Sequence, residues 1–372
     1  MLTLLLGEDR QAGLAELIGT ICERAQAGEA GQILIVPEQY SFEAERTLCQ
    51  TGGDGISRFA EVLSFTRLAS RVFSIYGGVS EEYLDEGGDN NKFKEYDMLT
   101  NGKTLKEWLK FANSLRLRLA MRISNVDATL AKDQATKALN DNQGVLEGAR
   151  ETIAVMGKNY INPLCAVAGW GEVYMNASME SIINGYEDPR GKKWYNTALL
   201  EGYQKQLLGI PIGLPMKDGD ANIYSFCSSL NTSTIGEKTG AVLMSAAEVW
   251  LLRAEAALRG YTKENPRTCY EYGVSTSFTQ WDCAGASEYL ESDKTPADYK
   301  DVVSGGKVGK DMKALITISP KWEEDADIET KLEKIITQKW LACWPESYEA
   351  WAEQRRTGYP KLFKVQNNTG KV

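Results

Sequence analysis

The stretch YLDEGGDNNKFKEY, residues 83–96, separates two regions that obey different folding rules. Upstream of it, short continuous apolar runs alternate with segments of helical spacing. Downstream, helical spacing holds over long windows, interrupted by loops rich in glycine, asparagine and aromatic residues. Within the stretch, DEGGDNNK is dense in turn formers, as a linker or surface loop would be. A chain of 372 residues has room for two or three domains. The question is whether the stretch links parts of one protein or marks a seam between two.

The upstream part reads as β-α-β-α-β-α. Leu2–Leu6 is a short apolar run ending at Gly7, and Gln32–Pro37 is a second, QILIVP. Continuous apolarity suits strands buried on both faces of a parallel sheet. Leu14–Ala25 places Leu14, Leu17, Ile18 and Ile21 on one helical face. Tyr40–Cys49 is again helical, Glu61–Ser64 reads as a third strand and Phe65–Tyr76 as a third helix. Such alternation implies parallel strands with right-handed crossovers. The first turn of this unit is where a phosphate would sit, and a working loop there needs G-x-x-x-x-G-K-[ST]. Here Gly13 and Leu14 stand where the lysine and the hydroxyl belong, and Glu8 and Asp9 would repel phosphate. Gly7 and Gly13 therefore mark a degenerate P-loop-like turn that holds no cofactor, and Gly7 reads as a residue permitting a tight turn.

Composition removes several function classes. There is no histidine, which excludes histidine bases, Ser-His-Asp and Cys-His arrangements and histidine metal ligands. No catalytic set and no metal set is assigned. A formal net charge of −9 disfavours a general hold on nucleic acid. The seven cysteines form no CxxC pair, so they read as neither a zinc pattern nor a disulfide framework. Cys269 and Cys283 could pair across a loop, against the commoner use of cysteine as a small buried hydrophobe. MLTLLLGEDR does not read as a secretory signal, and no stretch is long and apolar enough to span a bilayer. As written, the chain is expected to be soluble where it is made.

Downstream, Leu105, Trp108, Leu109, Ala112, Leu115 and Leu119 predict a helical stripe, although LRLRL within it also alternates. Arg116, Arg118 and Arg122 read as a solvated or ion-paired face rather than a basic patch. MSAAEVWLLRAEAALRG, residues 244–260, is the clearest helix, with Ser245 and Glu248 as a capping box, Gly260 as its stop, and alanines that permit close approach. It resembles one helix of a TPR-like pair, but no 34-residue repeat is evident. Glu329–Leu341 and Ser347–Thr357 are two more helices, the second capped by Ser347. Glu349 and Glu353 fall on one face at i,i+4, where surface ion pairing with Arg355 or Arg356 outweighs an acid–base role.

With nine tryptophans and seventeen tyrosines, the loops are the place to look for a binding surface. Residues 160–195 hold Trp170, Tyr174, Tyr186, Trp194 and Tyr195, and residues 261–310 hold Tyr270, Tyr272, Phe278, Trp281 and Tyr289. Rings beside Asn, Asp and Arg suit a sugar, whose apolar face stacks while amides and carboxylates take its hydroxyls. Trp170, Tyr174, Trp194, Tyr195, Trp281 and Tyr289 are the candidate ligand-binding residues. The competing reading is that these rings pin long loops to a helical core.

Two resemblances divide at the same stretch. ILIVPEQYSFEAER, EVLSFTRLASRVFSIYGG and LDEGG, within residues 1–88, resemble the N-terminus of AddB, a component of a bacterial helicase–nuclease. That likeness implies DNA double-strand break processing in the whole AddB protein; a piece without the phosphate grip is expected neither to hydrolyse ATP nor to cut DNA. KFANSLRLRLAMRIS, MNASMESIINGYEDPRGKKWY, MSAAEVWLLRAEAALRG and KLEKIITQKWLACWPESYEAWAEQRRTGYPKLF, within residues 89–367, resemble SusD/RagB nutrient-binding outer-membrane lipoproteins. This implies a mainly α-helical fold of TPR-type pairs with long ligand loops, preceded here by a small α/β parallel-sheet fragment. It implies capture of an oligosaccharide or other nutrient at the outer-membrane surface. It also implies docking on a SusC-like TonB-dependent barrel, with membrane attachment only through a lipid anchor. The chain as written shows neither the signal peptide nor the lipidated cysteine of that family. The helices that should precede residue 89 are replaced, and the chain stops at NNTGKV where members continue. The leading account is a chimeric or mis-joined sequence with its boundary near Gly88–Asn91. Three functional readings follow: a nutrient-binding protein, a fragment of a DNA-processing helicase–nuclease, and a structural module without ligand.

Overall fold

The computed structural model describes residues 10–36, 40–53, 55–64, 67, 97–99, 104–156, 160–215 and 222–367. The chain divides into two compact units, Met1–Gly88 and Asp89–Val372. The expected strand Leu2–Leu6, the glycine Gly7, the helix Phe65–Tyr76 apart from Arg67, and the stretch 83–96 lie outside the described residues.

In the first unit, helix α1 (Arg10–Gln26), strand β1 (Gln32–Ile35), helix α2 (Ser41–Gly52) and strand β2 (Ala60–Leu63) follow one another. The strands pair in parallel, from Gln32 opposite Ala60 to Ile35 opposite Leu63, with α2 as the crossover. Ile18, Ile21, Cys22, Leu34, Ala44, Leu48, Ile56 and Val62 close a core. Two expectations are corrected. Helix α1 starts at Arg10, so Gly13 lies inside a helix rather than in a phosphate-type turn. Strand β1 is not buried on both faces: Ile33 and Ile35 are 44% and 40% exposed, while Leu34 points into the core. Side chains alternate across a strand, and α1 and α2 supply this core from the Leu34 side.

The second unit is mainly helical. Its elements are α3 (Leu105–Arg122), α4 (Ala128–Leu139), β3 (Ile153–Val155), α5 (Pro163–Gly169), α6 (Ala177–Tyr186), α7 (Gly191–Trp194) and β4 (Ala241–Met244). They are followed by α8 (Ala246–Leu258), α9 (Pro266–Gln280), α10 (Ala286–Leu290), α11 (Ile328–Ala342) and α12 (Ser347–Thr357). Three helical hairpins, α3/α4, α8/α9 and α11/α12, form the frame. Side-chain caps start them: Asp127 accepts from Leu130 N at 2.9 Å, Asn265 from Thr268 N at 3.0 Å, and Asp327 from Thr330 N at 2.7 Å. Helix α12 is capped by Glu346, which accepts from Glu349 N at 2.7 Å, and not by Ser347. Strands β3 and β4 pair antiparallel.

Helix α8 is buried on two sides. Ala247, Leu251 and Ala254 enter a core with α6, α9 and α11, while Ala246, Val249, Leu252 and Ala256 enter another with α3, α4 and β3. The close approach to α9 comes from the partner helix: a Cβ on Gly273 would lie 2.5 Å from Leu251 Cγ. Helix α3 forms as expected but presents a rotated face. Ser114, Leu117, Ala120 and Met121 are buried, whereas Leu109 and Leu119 are exposed. Ser114 can be buried because its hydroxyl donates to Lys110 O at 2.7 Å and accepts from Leu146 N at 2.9 Å.

Buried charge ties the hairpins together. Arg118 grips Glu248 with Nε at 2.7 Å and Nη2 at 2.6 Å, so the Glu248 carboxylate serves an ion pair while Ser245 alone caps α8. Lys339, fully buried, lies 2.8 Å from Glu349 and 3.3 Å from Glu353. Arg122 meets Glu349 at 2.7 Å, and Arg356 meets both Glu255, at 2.6 Å, and Glu353. Glu349 and Glu353 are thus ion-paired as expected, but in the interior and not on the surface. Burial alone would raise the Glu353 carboxyl; Lys339 and Arg356 outweigh it and hold its pKa at about 2. Cys269 and Cys283 are both free thiols.

Candidate functional site

The six aromatic candidates separate by burial. Trp194 is fully buried, stacked on Trp344 at 5.1 Å between ring centroids and edge-on to Trp281 at 6.0 Å. Tyr195 is buried against Trp344, whose Nε1 donates to the Tyr195 hydroxyl at 3.1 Å; burial pushes that hydroxyl up to about 12. Tyr289 is buried, accepts from Gln338 Nε2 at 2.8 Å, and shares the Arg190 guanidinium with Phe278 and Trp194. Trp194, Tyr195 and Tyr289 therefore build a core and offer no open ring face, because large rings flanked by polar sequence still bury where a core is to be filled. Trp281 is partly open at the edge of this cluster. Tyr174 is half-buried, its hydroxyl donating to Gly171 O at 2.7 Å. Trp170, just after α5, keeps its ring 68% exposed.

Beside the aromatic core the second unit opens a cleft of about 510 Å³, lined by Ile183, Asn184, Glu187, Asp188, Pro189, Lys192, Lys205, Gln206 and Leu207. Its walls are the end of α6, the turn into α7, and the segment 205–207. Helix α6 stops because Glu187 adopts the left-handed conformation, φ 53°, uncommon for a side chain with a Cβ. The turn is fixed from beneath. Arg190, buried, holds Asp188 at 2.5 Å and donates to Ser277 Oγ at 2.8 Å, while Asp188 N donates to Ile183 O at 2.9 Å. Gly191 is required by close approach: a Cβ there would lie 2.3 Å from Ile183 Cγ2 and 2.9 Å from Leu207 Cδ1. Asn184 Nδ2 donates to Leu207 O at 2.9 Å and so ties the far wall to α6.

Glu180, about one turn earlier on α6 than Asn184, secures the same segment by accepting from Gly209 N at 2.5 Å. Burial, with a contribution from nearby Asp301 and against the Gly209 N–H, pushes its carboxyl up to about 8. The cleft lining thus combines buried apolar Ile183 and Leu207 with the amides of Asn184 and Gln206, the carboxylates of Glu187 and Asp188, and the ammonium groups of Lys192 and Lys205. That combination suits a hydroxylated ring compound. Among the described residues, no group of three or more His, Cys, Asp or Glu side chains is placed to hold a metal ion.

Residues 183–192 on the cleft fall within the aromatic-rich stretch 160–195, and none of the six aromatic candidates lines it. Asn184, Lys192, Lys205 and Gln206 carried no local signal, because the segments they sit on are joined by tertiary contacts such as the Asn184–Leu207 bond.

Residues 79–372 match the model of the SusD and RagB outer membrane lipoprotein family, and residues 7–90 that of the AddB N-terminal region. A SusD homolog from Bacteroides vulgatus is 55% identical, with 78% of this chain and 58% of that chain covered and a TM-score of 0.74. A chitin-binding SusD homolog from Flavobacterium johnsoniae is 34% identical over 82% of this chain and 61% of that one, with a TM-score of 0.72. The AddB-type component of an ATP-dependent helicase/deoxyribonuclease from Clostridium tetani is 50% identical over 58 residues, 16% of this chain and 5% of that protein. The chain thus spans about three-fifths of the length of these solved structures and a small part of the helicase/deoxyribonuclease component. The two family matches overlap at 79–90, consistent with a chimera joined there.

Proposed function

The chain belongs to the SusD and RagB outer membrane lipoprotein family, and from that premise we propose that its second unit is a non-enzymatic receptor for a glycan or another nutrient. It would act at the outer-membrane surface and pass its ligand to a SusC-like TonB-dependent transporter. The observation that carries this reading is the cleft of about 510 Å³, whose apolar and amide side chains match the apolar face and the hydroxyls of a sugar ring. The chitin binding of the Flavobacterium johnsoniae relative supports a glycan as the ligand class. Asn184 and Gln206 would take hydroxyls, and Trp170 would offer an outlying stacking face. We read residues 1–88 as an AddB-like piece joined to this receptor, and residues 89–367 as the region that carries the function.

Calorimetric titration of the full chain with a panel of neutral and acidic oligosaccharides and peptides tests the proposal. Micromolar to millimolar binding is expected for at least one sugar, weakened by Gln206→Ala or Trp170→Ala. Failure of every member of the panel to bind overturns it.

A further inference from the structure

We propose that the cleft selects a sugar carrying an anionic group, a carboxylate or a sulfate ester, and that Lys192 and Lys205 are the selecting residues. The inference deepens the receptor reading and rests on it. Four charged side chains line it: Glu187, Asp188, Lys192 and Lys205. Both acids are already answered. Asp188 is buried and held by Arg190 at 2.5 Å, and Glu187 pairs with Lys294. Neither lysine has an ion-pair or hydrogen-bond partner for its ammonium among the described residues, and both are exposed. The cleft therefore carries two uncompensated positive charges on a chain whose formal net charge is −9.

The placement of these charges matters as much as their sign. Lys192 stands on α7, one residue after Gly191, on the wall fixed by the Asp188–Arg190 pair. Lys205 stands on the segment 205–207, which Asn184 ties to α6 through Leu207. Two point charges lining one cleft together with apolar Ile183 and Leu207 suit a ring compound that bears its negative charge on an exocyclic group. A lysine ammonium accepts carboxylate and sulfate alike, since it imposes no planar two-pronged geometry. The shared chemistry is thus an anionic oxygen cluster on a saccharide.

The test is calorimetric titration of the full chain with matched oligosaccharides: a neutral one, its uronate counterpart and its sulfated counterpart, at low and at high salt. The acidic sugars are expected to bind at least tenfold tighter than the neutral one at low salt, and the advantage should shrink as screening rises. In the double variant Lys192→Gln, Lys205→Gln, the ratio of acidic to neutral affinity is expected to fall close to one. Preference for the uronate alone assigns a carboxylate ligand; preference for the sulfated sugar alone assigns a sulfate ester. Equal affinity for neutral and acidic sugars, or a preference that survives the double variant, overturns the inference and leaves the receptor reading standing. Binding by none of the sugars overturns both.

Discussion

The two units are built from the same alphabet but close their interiors differently. In Met1–Gly88, the buried side chains among the described residues are apolar except for Ser41 and Ser64. In Asp89–Val372 the interior also holds the ion-paired Asp188, Arg190, Lys334, Lys339, Glu248, Glu255, Glu349 and Glu353. It holds too the carboxyl of Glu180, unpaired among the described residues, which burial pushes up to about 8. Hydrophobic burial is non-directional, so it compacts a unit without dictating which groups touch. A buried charge is tolerated only beside its partner, which fixes one helix against another at a substantial desolvation cost. The cleft belongs to the unit that accepts this cost, and one of its walls rests on such a pair, Asp188 with Arg190. The difference implies that the first unit responds to packing and the second to packing and pH.

The largest effect expected is from Lys339→Met. Removing the ammonium leaves Glu349 and Glu353 short of a cation in the interior, a loss of about 3–5 kcal/mol. Urea unfolding followed by tryptophan fluorescence reports it, because every tryptophan lies downstream of residue 88. A loss below about 1 kcal/mol would break the comparison. Leu48→Ala is the counterpart in the first unit, where it removes a side chain that is 2% exposed, at about 2–4 kcal/mol. Hydrogen exchange of residues 10–63 is expected to show the same loss at pH 5 and pH 8; a strong pH dependence would count against a purely apolar interior.

Glu180→Gln sharpens the contrast through pH. The folded-state carboxyl titrates near 8 and the unfolded one near 4.5, so its stabilising contribution is complete below about 4.5 and is lost as pH rises to about 8. The substitution is expected to stabilise the second unit at pH 8 relative to pH 5, by on the order of 1–3 kcal/mol, and thermal melts at the two pH values measure it. Glu353 acts in the opposite window, contributing stability above about 4.5 that is lost as pH falls to about 2. The smallest expected effect is that of Glu187→Gly, which relieves a left-handed backbone worth about 1 kcal/mol and gives up only an exposed pair with Lys294. A melting temperature that falls would show that the exposed pair outweighs the backbone.

What the sequence disclosed follows from which forces are local. Helix α8, Ala246–Leu258, was legible because its Ser245 cap, its Gly260 stop and its apolar density lie close together in the chain. The rotation of α3 was not, because Ser114 enters the core only when Leu146 N arrives to meet its hydroxyl. Strand β3 was missed because three residues, Ile153–Val155, carry too little periodicity, and their partners at Ala241–Met244 lie far along the chain. The aromatic candidates show the same limit: composition marks a ring as valuable without saying whether protein or ligand will cover it. For Trp194 the covering partner is Trp344, which local sequence marks only as the end of a helix.

Helix α8 has a consequence of its own. Arrays of like helical pairs can fray from an end, each pair contacting only its neighbours. Here a single rod serves as the party wall of two rooms: Leu251 faces one and Leu252 the other. Neither room can be emptied while its neighbour stands, so calorimetry of this unit should trace one sharp heat-absorption peak, with no shoulder from a hairpin leaving early.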